Sequence, residues 1–248
     1  MFEPHTVAMV LGAFLVGGLV KGTVGLGLPT VAIAILATTV GVKPGLALML
    51  APAIFTNIWQ GLVGGQFRPI FTRLWTLYVT LVIAIFLGVE ILARADAGVL
   101  RGILGAFLIV YSGINLATPQ IPAPPERHER WLSPVMGFCS GLLCGLTGTL
   151  VVPGVLYMQA LGMRRDVLIQ AMGVAFTIGT VSLATAMTLR GLVTMELGGM
   201  SLLALIPSFA GLFAGQWIRR RIPEAKFRRV FFVALALLGV YLVSRAFL

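Results

Sequence analysis

The feature that most constrains this chain is the length of its uninterrupted apolar runs. Stretches such as 79–92, 102–117 and 230–243 contain at most one charged residue each. Runs that approach about 20 apolar residues are typical of helices that cross a membrane. Only 10% of the 248 residues are charged, whereas an ordinary soluble domain is roughly one-quarter charged. Because so few charges cannot cover a water-facing surface, the sequence predicts an all-α polytopic membrane protein.

About eight hydrophobic segments can be recognised along the chain. They cover residues 6–40, 44–64, 70–93, 97–117, 133–161, 167–189, 195–218 and 225–247. A stretch rich in proline and charge separates the first four from the last four and marks a linker. We therefore interpret residues 1–118 as a first membrane repeat, 119–132 as a linker and 133–248 as a second membrane repeat.

A shared register of glycines indicates that the two halves are internal repeats. The matching positions are Gly18, Gly22 and Gly25 in the first half and Gly141, Gly145 and Gly148 in the second. A proline follows in each half, Pro29 and Pro153, with one extra residue in the second. Internal repeats are common in secondary transporters, whose substrate sites usually lie where the repeats meet.

The first segment of each repeat is predicted to be broken or re-entrant. Residues 6–40 exceed the roughly 20 residues that span a bilayer, and glycines and a proline interrupt their middle. In a helix interior, Gly costs about 1 kcal/mol and Pro about 3 kcal/mol relative to Ala. Broken backbone at membrane depth must be buried in protein or line a wet cavity. The alternative is a proline kink combined with close GxxxG packing of helices.

Two topologies remain open. If each broken segment crosses the membrane once, the repeats are parallel and the linker lies outside. If each is re-entrant, the repeats are inverted and the linker lies inside. Both topologies place both termini outside and the basic stretch 219–229 in the cytoplasm, as the preference of Lys and Arg for cytoplasmic loops requires.

A break inside a membrane helix creates a candidate anion site. The second part of the helix starts with free N–H groups at the positive end of its dipole. The second parts begin near Pro29 and Pro153, and we expect both tips to face one anion near the midplane. The candidate substrate-binding residues are Lys21, Gly22, Thr23, Gly25, Gly27, Pro29, Asn57, Cys144, Gly145, Thr147, Gly148, Thr149 and Pro153.

Lys21 supports this hypothesis because an ionisable residue within a hydrophobic segment is costly and usually functional. We expect it to attract or bind the anion; the alternative is that it snorkels to the interface. Its counterpart in the second repeat is Cys144, so the two tips are not equivalent. Asn57 shares a helix face with Gln60, and that face either lines a path or forms hydrogen bonds between helices.

Several function classes are disfavoured. The net charge is +10 and the pI about 10.8, but the basic residues lie between hydrophobic runs and indicate topology rather than nucleic-acid binding. No nucleotide-binding motif and no His or carboxylate cluster is present, so no enzyme activity, cofactor or metal is predicted. A proton or sodium ion is a possible coupling ion, although no acidic residue lies near the middle of a predicted span.

The stretches GLVKGTVGLGLPTVAI and GLLCGLTGTLVVPGVLYMQALGM resemble the TauE/SafE family of sulfite and organosulfonate exporters. The resemblance extends over essentially the whole chain. It implies export of small anions, chiefly sulfur-containing ones, across the bacterial cytoplasmic membrane. The family often has two or three successive glycines before the proline, whereas here Leu26, Leu28 and the stretch 149–152 intervene. These bulkier residues are expected to reshape the pocket.

Two other functions are compatible with the sequence. One is an anion channel, and the other is a membrane scaffold or assembly factor whose glycines only pack helices. Counterflow that depends on substrate separates a carrier from a channel, and any saturable flux excludes a scaffold.

Overall fold

The computed structural model describes residues 3–62, 64–117, 123–219, 221 and 224–246. Those residues contain helices and no strand, which confirms the predicted all-α class. The helices are α1 (Pro4–Val24), α2 (Leu28–Thr39), α3 (Val42–Leu62), α4 (Phe67–Arg94), α5 (Ala97–Ala117), α6 (Glu126–Thr147), a π-helical turn (Val151–Val155), α7 (Leu156–Ala160), α8 (Arg165–Leu189), α9 (Met195–Leu203), α10 (Leu205–Arg219) and α11 (Glu224–Ser244).

Six helical stretches in the described part of the chain are long and apolar enough to cross a membrane. They are Pro4–Val24, Val42–Leu62, Phe67–Arg94, Ala97–Ala117, Arg165–Leu189 and Met195–Arg219. The prediction of a multi-pass membrane protein is therefore confirmed. The grouping of the chain into eight segments and two repeats stays a prediction.

The chain is interrupted where both glycine motifs predicted a break. In the first motif α1 ends at Val24 and α2 begins at Leu28. In the second, α6 ends at Thr147 and continuous helical backbone resumes at Pro153, inside the π-helical turn. We call these interruptions the first break and the second break. Helix α6 begins at Glu126, inside the predicted linker, directly after Pro125. Residues 119–122 of that linker lie outside the described part of the chain.

The chain reverses direction at each break. A Cβ added to Gly17 would lie 3.0 Å from the carbonyl oxygen of Leu28, whereas a straight helix would separate these residues by about 16 Å. A Cβ added to Gly154 would likewise lie 2.8 Å from Oγ of Ser140. We call the two folded-back elements the first hairpin (α1 with α2) and the second hairpin (α6 with the π-helical turn and α7). This geometry is the one that a re-entrant segment requires.

The helices group into two compact units, and each unit takes helices from both halves of the sequence. Unit 1 comprises Met1–Pro52, Ala95–Pro119 and Gly191–Leu248, and unit 2 comprises Ala53–Arg94 and Gln120–Arg190. Each unit thus contains one break. The boundary falls within α3, next to its internal proline, Pro52.

In unit 1, α1 lies against α10, and the two helices run in the same direction. A Cβ at Gly18 would overlap the carbonyl oxygen of Ser208, and one at Gly22 would overlap that of Leu212. Gly211 and Gly215 of α10 approach the backbone of α1 equally closely. Because only glycine lets two helix backbones come this near, these residues hold the helices together by close packing.

In unit 2, α6 lies against α4 in the same way. A Cβ at Gly141 would overlap the carbonyl oxygen of Leu81, and one at Gly145 would lie 2.6 Å from that of Ile85. Gly88 of α4 completes this contact, since its own Cβ would lie 2.9 Å from the Cα of Gly145. The GxxxG packing considered above is therefore present together with the breaks, and the glycines of each motif serve two different purposes.

Candidate functional site

The first break is formed by two glycines with left-handed backbone. Gly25 has φ 87° and ends α1, with its N–H donating to the carbonyl oxygen of Lys21 at 2.8 Å. Gly27 has φ 106° and precedes α2. Residues other than glycine rarely adopt such angles, so both positions need glycine. Gly25 and Leu26 are only partly buried, which leaves the turn between the two helices accessible.

The start of α2 has the features of an anion site. No side chain caps it, and Pro29 occupies its first turn. The N–H of Val31 donates to the carbonyl oxygen of Gly27 at 2.9 Å, so intrahelical bonding begins only there. The N–H groups that precede it carry the partial positive charge of the helix dipole.

Lys21 lies in the last turn of α1 and is buried, with 5% of its surface exposed. A buried ammonium group is costly unless other groups compensate its charge. Its burial beside the break argues against a side chain that extends freely to the interface. Gly22, the next residue, faces α10 and packs against it.

Thr30 is a candidate that sequence reasoning missed. It lies in the first turn of α2, with 1% of its surface exposed, and its hydroxyl has no hydrogen-bond partner among the described residues. A threonine directly after the proline of a broken segment is a weak signal. It becomes informative only when the helix start and the burial of the side chain are known.

The second break is built differently. Gly148 has φ 71° and ends α6, with its N–H donating to the carbonyl oxygen of Cys144 at 2.7 Å. Val152 has extended backbone, with φ −118° and ψ 130°, so regular helix resumes only at Pro153. No side chain caps this start, and residues 148–150 are all buried. Cys144 is also buried, with 2% of its surface exposed.

The threonines near the breaks already use most of their donor capacity. Thr23 donates to the carbonyl oxygen of Val20 at 2.9 Å. Thr147 donates to that of Leu143 at 2.7 Å and lies 3.4 Å from the hydroxyl of Thr149. Such back-bonding occupies the hydroxyl proton, so Thr23 and Thr147 can only accept a further hydrogen bond. Because the proton of Thr147 is used in this way, the hydroxyl of Thr149 is the donor in the 3.4 Å contact between the two threonines.

Asn57 belongs to a polar contact between α3 and α8 in unit 2. Its Nδ2 donates to Oγ1 of Thr180 at 3.3 Å. Nearby, Gln60 donates to the carbonyl oxygen of Ile169 at 3.1 Å, and Gln170 donates to that of Gly61 at 3.0 Å. These are hydrogen bonds between helices, which is the second of the two roles considered for the polar face of α3.

Each break lies level with the last turns of the neighbouring helix. A Cβ at Gly22 would lie 2.9 Å from the backbone nitrogen of Gln216. Gly25 is three residues further on and is therefore level with the last turn of α10, which ends at Arg219. The expectation that the anion binds near the midplane of the membrane stays a prediction.

The second break shows the same relation to α4. Gly145 contacts Gly88, so Gly148 lies about level with Glu90. The carboxylate of Glu90 pairs with the guanidinium groups of Arg94 and Arg190. Charged residues of this kind are expected near the ends of membrane helices rather than in their middle. Glu90 is thus held by two arginines.

The predicted site residues therefore fall into three groups. Unit 1 brings together those around the first break: Lys21, Gly22, Thr23, Gly25, Gly27 and Pro29. Unit 2 brings together those around the second break: Cys144, Gly145, Thr147, Gly148, Thr149 and Pro153. Asn57 belongs to the contact between α3 and α8 in unit 2.

A helical chain with six stretches of membrane-spanning length and two hairpins broken by glycines has the architecture of a membrane transporter. The sequence matches the protein-family model of the sulfite exporter TauE/SafE over residues 9–242. The chain belongs to this family, and it is accordingly a multi-pass membrane transporter. No curated protein and no solved structure matches it.

Proposed function

We propose that this transporter is a secondary carrier that exports small anions across the bacterial inner membrane, with sulfite and organosulfonates as substrates. The observation that carries the proposal is the uncapped start of α2 behind the left-handed Gly27, with Lys21 buried in the last turn of α1. This arrangement places a helix N-terminus and a cationic residue at one interruption of the membrane helices.

The physical basis is the positive potential at such a place. The first N–H groups of α2 and the ammonium group of Lys21 both favour an anion, and the low dielectric constant inside a membrane protein strengthens both effects. Export and the preference for sulfur compounds rest on membership of the TauE/SafE family. A proton or a sodium ion remains the proposed coupling ion, and the prediction that both breaks share one anion stays a prediction.

The test is the flux of labelled sulfite and methanesulfonate in proteoliposomes. Wild type is expected to give saturable flux that is accelerated by unlabelled substrate on the opposite side. Lys21→Met should lower the flux at least about tenfold, the effect of losing roughly 1.4 kcal/mol of substrate binding. Lys43→Met, which removes a lysine just beyond α2, is the matched control and should transport as wild type does.

The outcomes separate the alternatives. Flux that does not saturate and shows no counterflow identifies a channel. If the flux is saturable and Lys21→Met does not change it, the protein is a carrier and Lys21 is not part of its substrate site. Folded protein that moves neither anion refutes the proposal and favours the scaffold.

A further inference from the structure

The hydroxyl of Thr30 is unusual among the threonines of this protein. Threonines in the helices, such as Thr23, Thr80 and Thr177, donate to a carbonyl oxygen three or four residues earlier. Thr30 is 1% exposed, and its hydroxyl has no partner within the described ranges. A buried hydroxyl without a hydrogen bond costs free energy, so its presence calls for a reason.

The first break explains why the usual acceptor is missing. Leu26, four residues before Thr30, lies outside α2 because the left-handed Gly27 turns the chain between the two residues. The carbonyl group of Leu26 is therefore not aligned with the axis of α2. The carbonyl oxygen of Gly27, three residues before Thr30, accepts the N–H of Val31 at 2.9 Å, and the hydroxyl of Thr30 does not bond to it.

The direction of the side chain places this hydroxyl at the uncapped helix start. In an α-helix each Cα–Cβ bond tilts towards the N-terminus. Thr30 is the third residue of α2, so its side chain leans over the first turn. Pro29 has no N–H, so the donors on this side of the helix are the hydroxyl of Thr30 and the N–H groups of Leu28 and Thr30, which precede the first intrahelical bond.

We propose that Thr30 is a substrate-binding residue whose hydroxyl donates to an oxygen of the bound anion. This inference rests on the proposed function and restricts its substrate class to oxyanions with at least two acceptor oxygens. One oxygen of the anion accepts hydrogen bonds from the N–H groups at the start of α2, and another accepts one from the hydroxyl. Sulfite and sulfonates satisfy this requirement, whereas a monatomic halide does not. In the glycine register, Gly154 corresponds to Thr30, so the first break alone supplies this contact.

Flux measurements in proteoliposomes test the role of the hydroxyl. Thr30→Val removes it while keeping the shape of the side chain, and Thr30→Ser retains it. Thr38→Val is the matched control, because Thr38 lies in the same helix and donates to the carbonyl oxygen of Ile35 at 2.7 Å. We expect Thr30→Val to raise the half-saturating sulfite concentration at least about tenfold. Thr30→Ser and Thr38→Val should remain within about twofold of wild type.

Thermal unfolding in detergent provides a readout that is independent of transport. Without sulfite, Thr30→Val should unfold at the same temperature as wild type or at a higher one, because a buried, unpaired hydroxyl has been removed. With sulfite, wild type should be stabilised and Thr30→Val much less so. Potassium chloride at the same concentration should stabilise neither protein to that extent.

Each result decides the question. An unfolding temperature of Thr30→Val below that of wild type without sulfite, or failure of this variant to fold, assigns the hydroxyl a structural role and overturns the inference. An unchanged half-saturating concentration overturns it as well, while saturable wild-type flux leaves the proposed function standing. If wild-type protein shows neither sulfite flux nor stabilisation by sulfite, both this inference and the proposed function are overturned.

Discussion

The two hairpins share a backbone design and differ in where their polar side chains lie. In the first hairpin, polar groups lie at the break, where Lys21 and Thr30 are buried. The corresponding residues of the second hairpin are Cys144 and Gly154. The repeated backbone thus provides two helix starts, and only the first is accompanied by a cationic and an unpaired hydroxyl side chain.

The far end of the second hairpin shows the opposite pattern. Arg73 of α4 donates to both carboxylate oxygens of Glu129 in α6, at 2.7 and 2.9 Å. Beside this ion pair, Oγ of Ser133 lies 2.7 Å from the hydroxyl of Tyr157 in α7. The contact of Ser133 with Tyr157 ties the returning helix to α6, and the ion pair ties α6 to α4. The first hairpin closes by apolar packing. In the glycine register, Ser133 and Tyr157 correspond to two buried apolar residues, Val10 and Ile33.

This difference shows how one structural element can serve two purposes. Polar contacts at the far end fix the second hairpin and leave its break as a buried turn. The first hairpin is held by glycine packing and apolar contacts, and its break carries the hydroxyl of Thr30, which has no partner among the described residues.

The largest expected effect concerns the packing that both hairpins share. Gly22→Val should destabilise the protein by about 3 kcal/mol, the upper end of the usual cost of overpacking, because backbone atoms of α10 must move. Gly12→Val is the control, since nothing lies within 4 Å of a Cβ at Gly12 in the same helix. The yield of monodisperse protein and thermal unfolding measure the effect. Equal stability of the two variants would show that α1 and α10 do not pack through Gly22.

The next effect concerns the number of left-handed glycines at each break. Gly25→Ala should cost about 1–2 kcal/mol through backbone strain alone, since a Cβ there has open space around it. The double variant with Gly25→Ala and Gly27→Ala should lose about twice as much free energy of unfolding as Gly148→Ala, because it strains two left-handed positions instead of one. Gly12→Ala in the helix interior should instead gain up to about 1 kcal/mol. Chemical unfolding in mixed micelles gives these differences, and a neutral Gly25→Ala would contradict the left-handed turn.

The smallest effect concerns the ion pair that distinguishes the second hairpin. Glu129→Gln should cost about 0.5–1 kcal/mol, because the pair is bidentate but partly exposed. Thr6→Val, at the corresponding position of the first hairpin, should leave stability unchanged. Thermal unfolding at low and at about 0.5 M salt measures both, and the cost of Glu129→Gln should shrink as salt screens the pair. A cost that is independent of salt would assign Glu129 a role other than charge pairing.

The sequence was sufficient for the features that depend on local chemistry. Long apolar runs predicted the helices, and the glycine motifs predicted both interruptions, at Gly25 and Gly148. Local sequence could not separate the glycines that turn the chain from those that pack. Gly22 and Gly25 look alike until α10 is known to lie against Gly22. Thr30 was missed for a similar reason, since its lack of a partner depends on the turn at Gly27.

Contacts between residues far apart in the chain were also beyond sequence reasoning. The ion pair of Arg73 with Glu129 joins α4 to a residue of the predicted linker, and no local pattern indicates it. The grouping of helices into units that combine both halves depends on the same distant contacts.

The packing of α1 against α10 has a consequence for how the protein is made. Glycines of α1 enter the membrane early in synthesis, yet their partners around Ser208 and Leu212 are translated only after the whole of unit 2. The equivalent pair in unit 2 joins Leu81 to Gly141 and is complete much sooner. Since units of a chain generally fold as their residues emerge from the ribosome, unit 2 assembles first. Until α10 is made, the glycines of α1 lack the helix that they pack against, and truncation of the chain before α10 removes that helix for good.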